Sequence, residues 1–282
     1  MSSQARCYTE AKPAMIDHSP DGCNRRNEKS APMSSEKTTA IVLRVVPFSE
    51  TSSILTLFTR DFGKLGAMAK GARRLKEPFD SALDLLTVCR IVFLRKSTGA
   101  LDLLTEAKLV RRFRPPGRDL SCLYAGYYVA ELLTKMTDEY DPHPRLFDAA
   151  QSALKELAEG GAVASLVLRF EMTALVELGH MPSLEMCAEC GQNVELSGRV
   201  WFGHLAGGVL CGRCRAGQRK VAVVNSRVLK LMQCYAADND AWRRAPLEGR
   251  VRGELRGIMN HYLSNLLGQE PKMHRYLTAF SS

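Results

Sequence analysis

Hydrophobic and polar positions follow two different periods along this chain. Between residues 38 and 112, short apolar runs rich in Val, Ile and Leu are separated by turn residues, a pattern that predicts β-strands. The predicted strands are 40–46, 53–59, 64–69, 88–94 and 101–109. Short strands packed this densely favour a small closed barrel, and the OB-fold is the five-stranded barrel of this kind.

From residue 120 onward, the apolar residues return at helical intervals. Leu123, Tyr127, Ala130 and Leu133 fall on one face of a single predicted helix. The predicted helices are 120–136, 146–158, 162–178, 226–236 and 250–267. Gly179 follows the third helix, where glycine favours a helix C-terminus. The predicted fold class is therefore α+β multidomain.

Four cysteines form two C-x-x-C pairs, Cys187 with Cys190 and Cys211 with Cys214. Each pair can close a tight knuckle on one metal, and two knuckles complete the tetrahedral thiolate shell of a structural zinc site. Apolar runs at 200–202 and 209–210 flank a turn between the pairs, which predicts a two-stranded hairpin. The segment is thus interpreted as a zinc ribbon with one structural Zn²⁺ ion.

The alternatives for these cysteines are four free thiols or two redox-active pairs. A thioredoxin-like redox site needs its motif beside a βαβ pattern, and the sequence has none there. Full ligation by four thiolates leaves no open position for water or substrate, so the predicted zinc has a structural role. His204 is interpreted as a surface residue of the hairpin.

These patterns divide the chain into five segments. The predicted segments are a disordered leader (1–37), an OB-fold nucleic-acid-binding domain (38–112), the first part of a helical domain (113–186), the zinc ribbon (187–220) and the second part of the helical domain (221–282). The leader is polar, without a helical or strand period, which is typical of a disordered segment. Met33 is an alternative candidate for the start of the chain.

Charge is divided unevenly among these segments. The 282 residues carry a formal net charge of +9. Lys and Arg outnumber Asp and Glu by 13 to 7 over 38–112 and by 14 to 7 over 187–282, whereas over 113–186 they are outnumbered 11 to 6. Two basic segments on either side of an acidic one indicate a protein that binds a polyanion through these two basic segments.

The segment between the third and fourth predicted strands concentrates cations on a glycine-containing loop, residues 70–76. Long basic side chains on such a loop can reach phosphates, whereas the alternative is a solvated charge run. The candidate nucleic-acid contacts on the barrel are Arg44, Lys64, Lys70, Arg73, Arg74, Lys76 and Arg95. A second candidate patch beside the zinc ribbon consists of Arg213, Arg215, Arg219 and Lys220.

Several classes of protein lack support in the sequence. There is no G-x-x-x-x-G-K-[ST] phosphate loop and no H-x-E with P-C-x-x-C deaminase signature, so no enzyme activity and no catalytic residue are predicted. No apolar run reaches the roughly 18 residues of a membrane span, and no signal peptide precedes the domains. The prediction is a soluble cytoplasmic protein whose remaining single cysteines stay reduced.

An ordered set of short motifs resembles the RecO family, the bacterial recombination mediators of the RecFOR repair pathway. The matching motifs lie at 41–44, 48–50, 57–59 with Gly63, 70–74, 207–211, 267–268 and 275–277. Only the leader lies outside this resemblance, and the helix that usually follows the third OB strand is expected to be a loop here. The resemblance implies an N-terminal OB domain and a helical domain that carries the zinc ribbon.

The same resemblance implies a function. Members of this family bind single- and double-stranded DNA, anneal complementary strands and, with RecR, assist RecA loading onto strands coated by single-strand-binding protein. The implied partners are DNA, RecR, the C-terminal tail of single-strand-binding protein and, indirectly, RecA. The implied location is cytoplasmic and nucleoid-associated.

Two other classes remain open on the sequence. One is a non-catalytic adaptor that uses its OB and zinc-ribbon surfaces to hold proteins, with the basic charge serving solubility. The other is an RNA-binding or transcription factor with a zinc ribbon. Salt-dependent binding to oligonucleotides distinguishes DNA binding from the adaptor, and strand annealing distinguishes it from the transcription factor.

Overall fold

The structure is a computed structural model that describes residues 34–72, 79, 82–96, 101–117, 120–245, 247 and 249–279. Its N-terminal part is a closed barrel with the strand order β1-β2-β3-β5-β4. The strands are β1 Ser35–Pro47, β2 Ser53–Thr59, β3 Gly63–Ala69, β4 Val88–Leu94 and β5 Asp102–Arg111. Only β3 and β5 pair in parallel; the other pairs are antiparallel. The predicted OB-fold is confirmed.

Strand β1 is buried on both faces. Ala40 and Val42 point into the barrel, where they pack with Leu57 and Phe93. Ile41 and Leu43, with the opposite parity, belong to the core formed with the helices. β1 therefore joins two hydrophobic cores. It begins at Ser35, so the barrel starts before the boundary predicted between residues 37 and 38.

Helices follow the barrel in the order predicted from the apolar period. They are α1 Leu120–Met136, α2 Pro144–Ala158, α3 Val163–Glu177, α4 Ser226–Ala236, α5 Gly249–Leu266 and α6 His274–Ala279, with a 3₁₀ turn at Ala241–Arg244. Gly179 has a φ of +71° after α3, and the His180 N–H bonds to Leu175 O at 2.7 Å, which closes the helix end as predicted. No described helix is long and apolar enough to cross a membrane.

A second sheet, with the order β7-β6-β8, lies between α3 and α4 in the chain. Its strands are β6 Arg199–Gly203, β7 Gly208–Leu210 and β8 Val221–Asn225. The sequence predicted only the β6–β7 hairpin. β8 was missed because it is five residues long and α4 begins at the next residue, Ser226. We call residues 187–225, which include this sheet and both cysteine pairs, the ribbon.

The barrel contacts the helices where β3 begins. Gly63 has a φ of +68°, and a Cβ atom there would lie 2.1 Å from the carbonyl oxygen of Asp141. Next to it, the Tyr140 N–H donates to Lys64 O at 2.9 Å. Phe58, the β2 partner of Lys64, packs its ring 6.1 Å from the ring of Phe147. Backbone contact and ring packing together fix the barrel on the helices.

A buried polar network connects four helices. The Tyr128 hydroxyl donates to Glu171 Oε1 at 2.5 Å, and Arg256 makes two hydrogen bonds to the same carboxylate, at 2.7 and 3.0 Å. His274 Nε2 lies 2.9 Å from the Tyr128 oxygen. Because the hydroxyl proton is already used on Glu171, the imidazole must donate from Nε2. Glu171 is fully buried, so this arrangement compensates a charge inside the core.

Candidate metal centre and nucleic-acid interface

The two cysteine pairs meet in the ribbon. The Sγ atoms of Cys187, Cys190, Cys211 and Cys214 all lie within 4.8 Å of one another. The Cys190 and Cys211 sulfurs are 3.9 Å apart, close to the roughly 3.8 Å that tetrahedral geometry gives for a Zn–S distance of about 2.3 Å. The donor set therefore fits a four-sulfur site for one metal ion.

Backbone hydrogen bonds shape the two knuckles. The Cys211 N–H donates to Cys187 Sγ and the Cys214 N–H to Cys211 Sγ, each at 3.4 Å. Gly191 turns the first knuckle with a φ of +69°, a conformation that glycine adopts readily. The Ala188 N–H bonds to Val209 O at 2.9 Å, which anchors the same knuckle to β7. The sulfur positions are thus set by the sheet.

The cysteine pKa values differ across the cluster. Burial opposes ionisation of Cys187, but backbone N–H groups, that of Cys211 foremost, lower the pKa of this thiol to about 6. The neighbouring Cys211 sulfur raises the pKa of Cys214 to about 12. Four thiolates this close repel one another, so their joint ionisation requires a bound cation. These thiols are therefore suited to holding a metal.

Exposed cations lie near one end of the barrel. Pro47, Ser53 and Ala69 pair side by side across β1, β2 and β3, and form what we call the barrel row. Lys70 follows this row directly and is exposed. Arg44 is exposed on β1 beside a bulge in the β1–β2 register, three residues before the row. Two predicted contacts are thus close to the β1–β2 turn.

The Lys64 side chain contacts the helical domain. Its Nζ donates to Thr134 O at 2.7 Å and also to Thr137 O, both at the C-terminal end of α1. A cation at this position balances the partial negative charge of the helix end. The ammonium is held against the helical domain, so we leave Lys64 out of the proposed nucleic-acid interface.

Arg95 is exposed after β4, and its guanidinium lies 4.5 Å from the centroid of the Tyr140 ring. The Tyr140 hydroxyl donates to Asp102 Oδ2 at 2.8 Å, and burial together with this bond raises the pKa of Tyr140 to about 12. Arg95 is therefore oriented at the start of the β4–β5 connection. Three further predicted contacts, Arg73, Arg74 and Lys76, lie outside the described residues.

The four predicted cations of the ribbon are all exposed. Arg213 donates to the Gln192 side chain, and Arg215 stacks 3.9 Å above the Trp201 ring. Lys220 donates from Nζ to Asn265 Oδ1 at 2.9 Å. Stacking and neutral hydrogen bonds leave these positive charges in place, so the second patch stays a candidate surface for phosphates.

A third barrel surface with exposed cations was not predicted from the sequence. A groove of about 700 Å³ crosses β1, β4 and β5; its charged side chains are the cations Lys37, Arg90 and Lys108 and the carboxylates Asp61 and Glu106. Arg90 pairs with Thr39 on one side and with Lys108 on the other, so threonine and cation lie in one line across the strands. The signal was present: a charged residue inside the apolar run 88–94 must point out of the barrel.

One groove of the helical domain has the opposite character. A groove of about 410 Å³ between α2, α3 and the 3₁₀ turn is lined by more carboxylates than guanidinium groups. Its charged side chains are Asp148, Glu156, Glu177, Asp238, Asp240, Arg145, Arg169 and Arg243. The Arg243 side chain bonds to Glu156 at 2.7 Å and lowers the pKa of that carboxyl. The side chains that line this groove therefore carry a net negative charge, which disfavours phosphates.

Taken together, these features define a multidomain OB-fold protein with a four-cysteine ribbon. Two family models match consecutive parts of the chain: the one described as Recombination protein O N terminal matches residues 33–113, and Recombination protein O C terminal matches residues 117–275. The chain belongs to the RecO family of DNA repair proteins.

Similar curated proteins carry the name DNA repair protein RecO. The one from Rhodopirellula baltica is 41% identical, and the match covers 84% of this chain and 97% of that protein. Its counterpart from Myxococcus xanthus is 33% identical, covering 83% and 93% of the two chains. A third, from Listeria monocytogenes serotype 4b, is 30% identical over 71% of this chain and 76% of its own length. The resemblance inferred from the motifs is confirmed.

Proposed function

We propose that this protein is a non-catalytic mediator of DNA repair and recombination. It binds single- and double-stranded DNA, anneals complementary strands and, with RecR, assists RecA loading onto strands coated by single-strand-binding protein. The observation that carries the proposal is an OB barrel with exposed Arg44 and Lys70 near one end in a chain of the RecO family. The proposed location, cytoplasmic and associated with the nucleoid, follows from DNA binding.

Annealing sets a physical requirement that this surface meets. Two strands of like charge must approach, so their phosphates must be neutralised while the base edges stay free to pair. Cations on a barrel rim contact phosphates without reading base edges. The acidic groove of the helical domain keeps DNA away from that side. The barrel and the second patch on the ribbon are thus the two surfaces proposed to bind the two DNA strands.

The proposed interface includes both described and undescribed cations. Its barrel part consists of Arg44, Lys70, Arg73, Arg74, Lys76 and Arg95. Its ribbon part consists of Arg213, Arg215, Arg219 and Lys220. RecR and the C-terminal tail of single-strand-binding protein are proposed as protein partners on the basis of family membership alone.

We infer that the metal of the ribbon is one structural Zn²⁺ ion on Cys187, Cys190, Cys211 and Cys214. Thiolates favour zinc among the abundant divalent cations, and four of them fill its tetrahedral shell. Such an ion stabilises the ribbon and supplies no catalytic position. The close sulfurs and the N–H···S bonds of the knuckles support this assignment.

A salt titration of DNA binding tests the proposed function. The affinity of the full chain for a single-stranded oligonucleotide should fall with salt, and replacing Lys70 or Arg44 by Met should reduce the log–log slope by about 0.7 each, irrespective of sequence. The Arg73→Ala, Arg74→Ala double variant should bind more weakly and anneal more slowly. Lys155→Met, which removes an exposed lysine from α2, is the matched control and should bind like wild type.

Annealing of complementary strands is measured on the same variants. Wild-type slopes and annealing rates in all the barrel variants would contradict the barrel interface and direct attention to the ribbon patch. Salt-independent binding, or no DNA binding by the full chain, would favour the adaptor instead.

A further inference from the structure

An aromatic ring is exposed at the β1–β2 turn of the barrel. Phe48 has 61% of its surface exposed, the highest fraction among the large hydrophobic side chains that the structure describes. The other described large hydrophobic side chains that are exposed are aliphatic, so the one exposed ring of this group is at the turn. Leaving a phenyl ring in water forfeits the free energy that its burial would release. Its position therefore suggests a ligand.

The turn that carries Phe48 is fixed by hydrogen bonds. The Phe48 and Ser49 N–H groups both donate to Ser52 O, at 3.0 and 3.3 Å, and the Ser52 N–H donates to Ser49 Oγ at 3.1 Å. These bonds leave little backbone freedom between the end of β1 and the start of β2. The ring is consequently presented on a preorganised turn, which lowers the entropy lost on binding.

Phe48 also lies near the predicted phosphate contacts. It follows Pro47, and Lys70 follows Ala69, at opposite ends of the barrel row. Neighbouring strands lie about 4.8 Å apart, so the Cα atoms of Pro47 and Ala69 are separated by roughly 10 Å. Phe48 and Lys70 each follow one of these two positions at the same end of the barrel, so a base on the ring and a phosphate on the ammonium can belong to the same short stretch of nucleic acid.

We propose that Phe48 forms a nucleobase-stacking site that makes the barrel prefer unpaired strands. The inference rests on the proposed DNA binding and adds a contact that phosphates cannot provide. Bases within a duplex are stacked on each other and hide their faces, whereas an unpaired base can stack on the ring. Stacking uses the face of the base and leaves its pairing edge free. The ring thus holds a strand in a form that can still anneal.

The test compares affinities of the full chain for three DNAs of one length: oligothymidylate, the same backbone with abasic sites, and a duplex. Phe48→Ala should lower the affinity for oligothymidylate by about 5- to 150-fold, the effect of losing one base–aromatic stack. Its salt slope should equal that of wild type because no charge is lost. Duplex binding should change little, so the preference for single strands shrinks.

Two further variants separate stacking from general apolar contact. Phe48→Trp keeps an aromatic face and should bind like wild type or tighter, whereas Phe48→Leu keeps bulk without a ring and should resemble Phe48→Ala. Leu205→Ala removes an exposed apolar side chain, 56% exposed, from the β6–β7 turn and serves as the matched control. All variants should keep the wild-type melting temperature, since the altered side chains are exposed.

The abasic oligonucleotide decides the outcome. Wild type and Phe48→Ala should bind it equally, because the stacking partner is missing from the DNA. Equal losses on abasic and normal DNA, full activity of Phe48→Leu, or no loss in Phe48→Ala would each overturn the stacking site. If wild type binds DNA with a normal salt slope while Phe48→Ala is unchanged, only this inference fails. If wild type binds no DNA, the proposed function fails with it.

Discussion

The ammonium of Lys64 lies 2.7 Å from the carbonyl oxygen of Thr134, so a barrel strand supplies a cation at the C-terminus of helix α1. Hydrogen bonds from charged donors are among the stronger ones in proteins, and here the bond joins two domains. The adjacent backbone of β3 is also hydrogen-bonded to Tyr140. The barrel is thereby held in one orientation on the helices.

Replacing Lys64 by Met should destabilise the protein without changing its DNA binding. We expect the free energy of unfolding to fall by about 1–2 kcal/mol, because two carbonyl groups lose a charged donor. The salt slope of single-strand binding should stay at its wild-type value. Lys70→Met, six residues away at an exposed position, should leave the free energy of unfolding unchanged and reduce the salt slope. A reduced slope in Lys64→Met would return this lysine to the interface.

Breaking the buried pair of Glu171 and Arg256 should lower the free energy of unfolding more than a substitution on the surface does. Glu171→Gln leaves a guanidinium without its counter-charge inside the core, which should lower stability by about 3–5 kcal/mol in urea denaturation. The double change Glu171→Leu with Arg256→Met removes both charges and should be milder. Arg60→Met, which breaks the exposed pair with Asp148, should change stability little. A double variant less stable than Glu171→Gln would show that the charges themselves stabilise the fold.

His274 should make stability depend on pH below neutrality. Burial, aided by the charge of Arg256, lowers the pKa of this histidine to about 4, against about 6.5 in an unfolded chain. The neutral imidazole is the folded form, so its contribution is complete above pH 6.5 and is lost as the pH falls towards 4. The loss should be on the order of 2 kcal/mol at pH 4.5.

His274→Gln retains a donor for the Tyr128 oxygen but does not titrate. The stability difference between wild type and this variant, measured by urea denaturation at pH 7.5 and 4.5, should therefore shrink or reverse at the lower pH. A difference that stays constant with pH would contradict the depressed pKa.

Metal analysis should find about one zinc per chain, and Cys211→Ser should abolish it. Losing a ligand leaves three thiolates and an incomplete shell, so the ribbon sheet should lose its hydrogen-exchange protection. The barrel, which has its own core, should keep its single-strand affinity. Cys234→Ser, a cysteine on α4 outside the cluster, is the control and should retain the metal. Full zinc content in Cys211→Ser would show that the ligands are assigned wrongly.

Local patterns predicted most of the elements because each has its own period or spacing. The strand runs, the helix from Leu120 to Met136 and the two cysteine pairs all follow from neighbours in sequence. Helix α6 was not predicted, since it is only six residues long, which is too short for a helical period to be evident. Strand β8 was missed for the same reason of length.

The role of Lys64 could not be predicted, because it depends on which part of the barrel the helices cover. In sequence, Lys64 and Lys70 are both lysines at the ends of one strand. Only the packing of α1 against β3 distinguishes them, by placing carbonyl groups beside one and solvent beside the other. Charge at a position is thus visible in the sequence, whereas its partner is a property of the tertiary fold.

Strand β8 runs into α4 without a connecting loop, and just before the ribbon the Glu185 carboxylate accepts a hydrogen bond from Gln233 Nε2 of α4 at 3.0 Å. The ribbon is therefore a long excursion of the chain whose two ends are both tied to the helical core. Closing such a loop costs conformational entropy, which the packing of the helical core has to offset. This cost grows only slowly with the length of the loop. A metal ion that joins Cys187 to Cys211 divides the excursion into shorter loops. Metal binding in the ribbon would thus lower the loop entropy that the packing of the distant helices has to offset.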